Sequence, residues 1–261
     1  LPGNNPDLID SHCHLADPAF ADVGATLARA GRVGITRVVA VGSDAASNAA
    51  VLDLAERHPE VLPALGYHPE RLDLAPADLD AVEAQILAQR ARLVAIGEIG
   101  LPWYGLEGRA DAAALVARGR ERLARLLALA RGLGLPVSLH APHGAAADAL
   151  ELLTRSGAGP AVFHWHKADP AVTRRIVAGG HFVGITPEIV YRERDRALVR
   201  EVPLTRLLLE SDGPWPYRGA QGEPAMLARS AVAIADVLGR PPEEIVTALA
   251  ANGQRCFGLP P

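Results

Sequence analysis

The chain has 261 residues, 49% hydrophobic and 21% charged, with a net charge of -4. That balance fills a sizeable core and excludes a disordered chain or a generally basic, nucleic-acid-coating surface, so any nucleic-acid contact must be local, in a groove or at loop tips. Two cysteines, Cys13 and Cys256, exclude a disulfide scaffold and a cysteine-held zinc, and suit a reducing cytoplasm.

In chain order, the opening "LPGNNPD" has neither the basic start nor the apolar run of a secretory signal, so residues 1–7 are read as a trimmed, disordered or added end. Short apolar or β-branched runs bounded by turn residues then predict strands over 8–14, 35–43, 61–69 and 93–101. Four more are predicted over 135–141, 160–166, 181–186 and 206–214. Between them lie helical patterns, such as 111–131, where Leu115, Leu123, Leu126, Leu127 and Ala130 recur at threes and fours. Glycine-bearing turns in "RAGRVGIT", "ARGLGLPV" and "VAGGHFV" lead from helix to strand. Eight strand–helix units without a glycine-rich dinucleotide fingerprint predict an α/β chain folded as a (β/α)8 TIM-type barrel, one domain over 1–261, with an open α/β sheet as the alternative. No apolar run reaches membrane-spanning length, and no obligate protein partner is evident.

Position carries the chemistry. Nearly every histidine or acid that interrupts an apolar strand does so at its C-terminal end, and in a barrel those ends converge on one face. His12 and His14 close the first strand, His68 the third, Glu98 the fourth, His140 the fifth, His164 and His166 the sixth, and Asp212 the eighth. Residues two apart on a strand point to the same side, so His12 and His14 can share one cation, with Cys13 turned away towards the helices. Glu98 and Asp212 each follow an apolar run, where an unpaired carboxylate is costly; a cation or an arginine would resolve that cost. His140 and His164 are further candidate ligands. His68 and His166 either contact substrate or pack at the barrel mouth.

The motifs "DSHCH", "GEIGL", "LHA", "FHWH", "ESDGP" and "NGQRCFG" resemble, in order and spacing, those of the TatD family of metal-dependent hydrolases in the amidohydrolase superfamily, over about residues 9–258. The resemblance implies a binuclear divalent-metal site and nuclease activity, as DNase or exonuclease. His12, His14 and Asp212 would hold one ion, His140 and His164 the other, and Glu98 would bridge them. Lys167, the sole lysine, lies beyond the sixth strand, which favours the glutamate bridge over a carboxylated lysine. Two departures stand out: Pro102 where the family often has aspartate, and Pro142 where it often has arginine. Both lost groups are candidates for substrate contact. "GEIGLP", "FHWHK" and "DGPWPYRG" mark a divergent branch.

For phosphodiester hydrolysis, Asp212 is the expected general base and Glu98 its catalytic partner. Lys167, Arg192 and Arg218, with neighbouring Arg194, are expected phosphate contacts, although each also fits a solvated surface. Trp103, Tyr104, Trp165, Trp215 and Tyr217 suit base stacking in a single-strand channel, Trp215 foremost, and would equally suit a small apolar substrate. Two divalent ions are expected, Mg2+ or Mn2+ in function with Zn2+ also compatible. Nucleic acid, single-stranded or at DNA ends, is the expected substrate. The competing reading is hydrolysis of a carboxylic ester or amide, such as a lactone or aminoacyl ester; a non-catalytic metal-binding scaffold would need a degraded ligand set.

Overall fold

The computed structural model describes residues 7–72 and 75–260, so the expectation for residues 1–7 falls outside the described residues except at Asp7, which is exposed. All eight apolar runs form strands: β1 Leu8–Cys13, β2 Ile35–Val41, β3 Val61–Leu65, β4 Ala95–Gly100, β5 Val137–His140, β6 Ala161–His164, β7 Phe182–Ile185 and β8 Leu207–Leu209. They pair in parallel in sequence order, β1 to β8. The ring closes at the mouth, where the Asp212 N–H donates to the His12 carbonyl (2.9 Å) and the His14 N–H to the Gly213 carbonyl (2.8 Å). This is the (β/α)8 barrel.

The helices between strands are α1 Val23–Arg32, α2 Ala45–Arg57, α3 Pro76–Gln89, α4 Ala112–Leu133, α5 Ala145–Ser156, α6 Pro170–Ala178 and α7 Glu193–Glu201. Then come α8 Leu227–Leu238 and α9 Pro242–Phe257. Side-chain caps start several: Asp22 accepts from the Ala25 N–H, and Asp44 and Ser47 cap each other's backbone at α2. Gly134, at φ 68°, ends α4 in the left-handed conformation that glycine adopts without penalty and turns the chain into β5. Among the described residues no helix is long and apolar enough to cross a membrane.

Two apolar clusters divide the core. Leu8, Cys13, Ile96, Ile99, Leu139 and Phe163 pack outward against the helices. Ile9, Val39, Ala64, Ala95, Val162, Phe182 and Leu208 fill the lumen, with Cys256 and Phe257 of α9 in the same cluster. Cys13 thus faces the helix layer, as alternation from His12 and His14 requires.

Alternation along β1 and β4 is broken once each. Asp10 sits opposite Val38 while Cys13 sits opposite Ala40, so β1 has one more residue than β2 over that step. Likewise Ile96 pairs with Val137 and Ile99 with Leu139, which gives β4 an extra residue around Glu98. Such bulges re-aim side chains, and both occur where an expected ligand must face the lumen.

Candidate metal centre

Above the apolar lumen, the strand ends bring together all six expected ligands and His68. Glu98 is 1% exposed and sits at the centre. Its Oε2 lies 3.3 Å from His12 Nε2 and 3.2 Å from His14 Nε2. Its Oε1 lies 2.9 Å from His140 Nδ1, 3.3 Å from His68 Nε2 and 3.9 Å from His164 Nε2. Asp212 Oδ1 is 3.6–3.7 Å from His12, His14 and His164. The donor atoms fall into three overlapping groups, each within 4.8 Å: His12, His14 and Asp212; His12, Glu98 and His164; His68, Glu98 and His140.

Several neighbours hold these groups in place. Ser138 Oγ is hydrogen-bonded to His12 Nδ1 at 2.9 Å, which turns Nε2 towards the two carboxylates. The His12 and His164 rings stack at 3.7 Å between centroids, 11° from parallel. Asp10 Oδ1 accepts from the Ser211 and His12 N–H groups, and Tyr217 donates to the Ser211 carbonyl, bracing the segment that carries Asp212. Tyr217 is therefore a buried brace and not part of the rim.

The electrostatics follow from burial. Burial drives His12 and His164 down to about 3, so both rings are neutral donors. Burial also lowers His140, but hydrogen bonds to Glu70 and Glu98 outweigh it and raise the imidazole to about 9. Burial alone would raise Glu98; the surrounding imidazoles, His68 and His12 foremost, hold it well below the carboxylate range. At Asp212 burial wins and the carboxyl is pushed well up. His12 Nε2 and Glu98 Oε2 are buried without a hydrogen-bond partner. Inward-facing donors with unmet valence, on imidazole and carboxylate together, fit a divalent cation.

Three acids or hydroxyls here carry no expectation from the sequence. Glu210 is fully buried; it accepts the Trp165 N–H at 2.5 Å and lies 3.2 Å from His164 Nδ1. Gly184 makes room for it, since a Cβ there would meet Glu210 Oε2 at 2.1 Å. Glu70, in the loop after β3, accepts from the Trp103, Tyr104 and Gly105 N–H groups and approaches His140 Nε2 at 3.3 Å. Ser138 and Glu210 each stand two residues before an expected ligand, a signal that strand alternation offers. Glu70 sits in irregular backbone, where no periodicity marks it.

The centre opens into a cavity of about 870 Å³ lined by His14, His68, Tyr104, Lys167, Trp215 and their neighbours. Lys167 and Trp215 reach it, but three expected substrate contacts do not. His166 is 2% exposed and bonds Thr173 Oγ1 of α6 at 2.8 Å. Alternation would have aimed it inward with His164, but β6 ends at His164 and Trp165, at φ 39°, turns the next side chain out. Arg192 is drawn to Glu188 at 2.6 Å, and Arg218 lies over the Tyr191 ring at 4.2 Å. The two proline departures also separate. Pro102 packs against α4, where a Cβ on Gly119 would be 2.6 Å from its Cδ, and is not among the residues lining the cavity; Pro142 does line it.

Residues 9–258 match the TatD related DNase family. Human deoxyribonuclease TATDN3 is 32% identical over 96% of this chain and 94% of its own length. A Mycobacterium tuberculosis protein named as the metal-dependent hydrolase TatD is 32% identical over 97% of this chain and 98% of its own. The crystal structure of the TatD homolog YjjV from Escherichia coli superposes with a TM-score of 0.86 at 29% identity, covering 97% of this chain and 98% of that one. The chain belongs to the TatD related DNase family and is a hydrolytic enzyme of that family.

Proposed function

We propose that this barrel, as one domain over residues 1–261, is a divalent-metal-dependent phosphodiesterase whose substrate is nucleic acid, single-stranded or at DNA ends. The observation that carries the reading is one buried carboxylate, Glu98, within 3.9 Å of five imidazoles and beside a second carboxylate at the mouth of the barrel. His12, His14 and Asp212 would hold one ion, His140 and His164 a second, and Glu98 would bridge them. His68 stands close enough to Glu98 and His140 to add a donor at the second position. Mg2+ and Mn2+ suit the reaction, and the imidazole-rich set also suits Zn2+. When bound, such ions neutralise phosphate charge and lower the pKa of water.

The remaining chemistry belongs to the side chains. Asp212 orients the attacking water and accepts its proton. Ser138 keeps the His12 ring in one orientation, and Glu210 does the same for the chain at His164 and Trp165. Lys167 offers one phosphate contact, and Trp215, more than half exposed on the rim, offers a stacking face for a base. Two unpaired cysteines, both buried, fit a cytoplasmic location.

The test is a substrate panel on protein reconstituted with Mg2+ or Mn2+. Single-stranded DNA or RNA should be hydrolysed, and Asp212→Asn should abolish it. Turnover of lactones or aminoacyl esters with no phosphodiester cleavage would replace this reading with the carboxylic-ester one.

A further inference from the structure

Behind the metal centre, one pair of residues leaves a buried group on each partner unmet. His164 Nδ1 and Glu210 Oε2 are both buried without a hydrogen bond, while Glu210 Oε1 stands 3.2 Å from that Nδ1 and takes the Trp165 N–H at 2.5 Å. Polar groups so buried are costly until something meets them. The imidazole is held in place, stacked on His12 at 3.7 Å between centroids with Nε2 towards Asp212 and Glu98. The carboxyl lies over Gly184 of β7, where no side chain hems it in; a Cβ there would be 2.1–2.4 Å from its three atoms.

The same Oε1 also secures Trp165. That residue has φ 39°, in the left-handed region that bulky side chains avoid, so its conformation is imposed by its contacts. Its backbone N–H goes to Glu210 and its indole N–H to Glu188 Oε2 at 3.2 Å. Lys167 Nζ sits 3.7 Å from the centroid of its ring, and Trp215 meets it edge-to-face at 5.3 Å. Trp165 therefore joins the carboxylate behind His164 to two groups that line the cavity, Lys167 and Trp215.

With Nε2 given to a cation, the ring's proton stands on Nδ1 and needs an acceptor, and Glu210 is the carboxylate beside it. On the metal-dependent reading above, we infer that Glu210 and Trp165 are a coupling element: an ion at His164 closes the Nδ1–H bond to Glu210, which alters that carboxylate's hold on the Trp165 N–H and shifts the Trp165 ring against Trp215 and Lys167. The link runs both ways, so contacts that fix the Trp165 ring tighten the ion at His164 by the same factor with which the ion steadies the ring. Both are positioning residues, acting through His164 on one side and the rim on the other.

The experiment follows Zn2+, which does not itself quench indole emission, by buffered-zinc dialysis with elemental analysis. In parallel it follows the emission of a Trp103→Phe, Trp215→Phe protein, whose only remaining indole is Trp165. Emission should change in step with occupancy by one ion. Glu210→Gln keeps an oxygen for the Trp165 N–H but offers His164 no charge. It should weaken that ion about 10- to 100-fold, leave any other ion at parental affinity and abolish the emission change, while the metal-free protein melts near the parent's temperature. Trp165→Phe keeps a ring, loses the bond to Glu188 and alters no ligand; it should weaken the same ion about fivefold or more, and it decides the question where Glu210→Gln does not fold. Parental zinc affinity in either folded variant, or Trp165 emission that ignores zinc binding, overturns the coupling and leaves the metal-dependent reading standing. A parent protein that binds no zinc overturns both.

Discussion

Glu70 should be the most informative single substitution outside the metal centre. Its Oε1 accepts from the N–H groups of Trp103 (2.7 Å) and Tyr104 (3.0 Å), its Oε2 from Gly105 (2.9 Å), and Oε1 also lies 3.3 Å from His140 Nε2. Burial opposes the charge, but these bonds, His140's first, hold the carboxyl down at about 2 against an ordinary 4.5. At 1.36 kcal/mol per unit, that difference makes the ionised form worth about 3 kcal/mol to the fold. Three charge-assisted bonds at their usual worth would sum to about 5–9 kcal/mol. The smaller figure is the better guide, because Trp103 and Tyr104 are about half exposed and water replaces what they lose. A depressed carboxyl contributes stability that is present above about pH 4.5 and is lost as pH falls towards about 2. Urea unfolding of metal-free protein should therefore show Glu70→Ala less stable than the parent by about 2–3 kcal/mol near neutrality, with the gap closing below about pH 4. KM should rise more than kcat falls, since the released segment carries Tyr104 away from the rim. Equal stability near neutral pH, or a gap that does not depend on pH, would refute the assignment of Glu70 as the anchor of that loop.

Elemental analysis of reconstituted protein should find divalent metal, and a His12→Ala, His14→Ala double variant should lose at least one ion per chain; unchanged occupancy removes the metal reading. Gly184→Ala places a Cβ 2.1 Å from Glu210 Oε2, so it should cost about 1–3 kcal/mol and lower activity by disturbing the Trp165 N–H bond, which a thermal melt and a rate measurement both read. His166 is held at about 4 by burial, below its ordinary 6.5. The unfolded chain therefore takes up a proton first as pH falls, and stability present above about pH 6.5 is lost towards about pH 4, by up to about 3 kcal/mol. His166→Asn should flatten that limb of the stability profile in metal-free protein; an unaltered limb would place the acid sensitivity elsewhere.

The barrel was legible because eight apolar runs and glycine-marked turns repeat a pattern that one architecture satisfies. The centre was legible because histidine and carboxylate at the ends of apolar strands are costly unless something meets them, and the structure gathers the other five expected ligands about Glu98. Loop chemistry was not. Arg192 and Arg218 lie in sequence where a phosphate contact would, but their partners are Glu188 and Tyr191, which only the folded loop brings alongside. Glu70 has no periodic signature, because its role is to bind backbone N–H groups from a segment 33 to 35 residues away.

The least legible feature is also the one on which the centre depends. Counted by strict alternation from Ile9, which faces the lumen, Ser11 and Cys13 would face inward and His12 outward; counted from Ala95, Glu98 would face the helices. Each strand corrects this with one extra residue, between Asp10 and Cys13 and between Ile96 and Ile99. The lumen can therefore be apolar at its floor and ligand-bearing at its mouth on the same two strands. The pair spacing of His12 and His14 survives the bulge, since both rings reach Glu98 Oε2, at 3.3 and 3.2 Å, which is why that motif reads correctly from sequence even though the phase of the strand below it does not. β5 and β6 need no such correction: Ser138 and His140, like Val162 and His164, share a face by simple alternation. The donors on β1, β4, β5 and β6 come from two bulged and two regular strands, with Asp212 just beyond β8, and their direction is fixed through the backbone, so that Ser138 has only to set the rotation of the His12 ring and not its position.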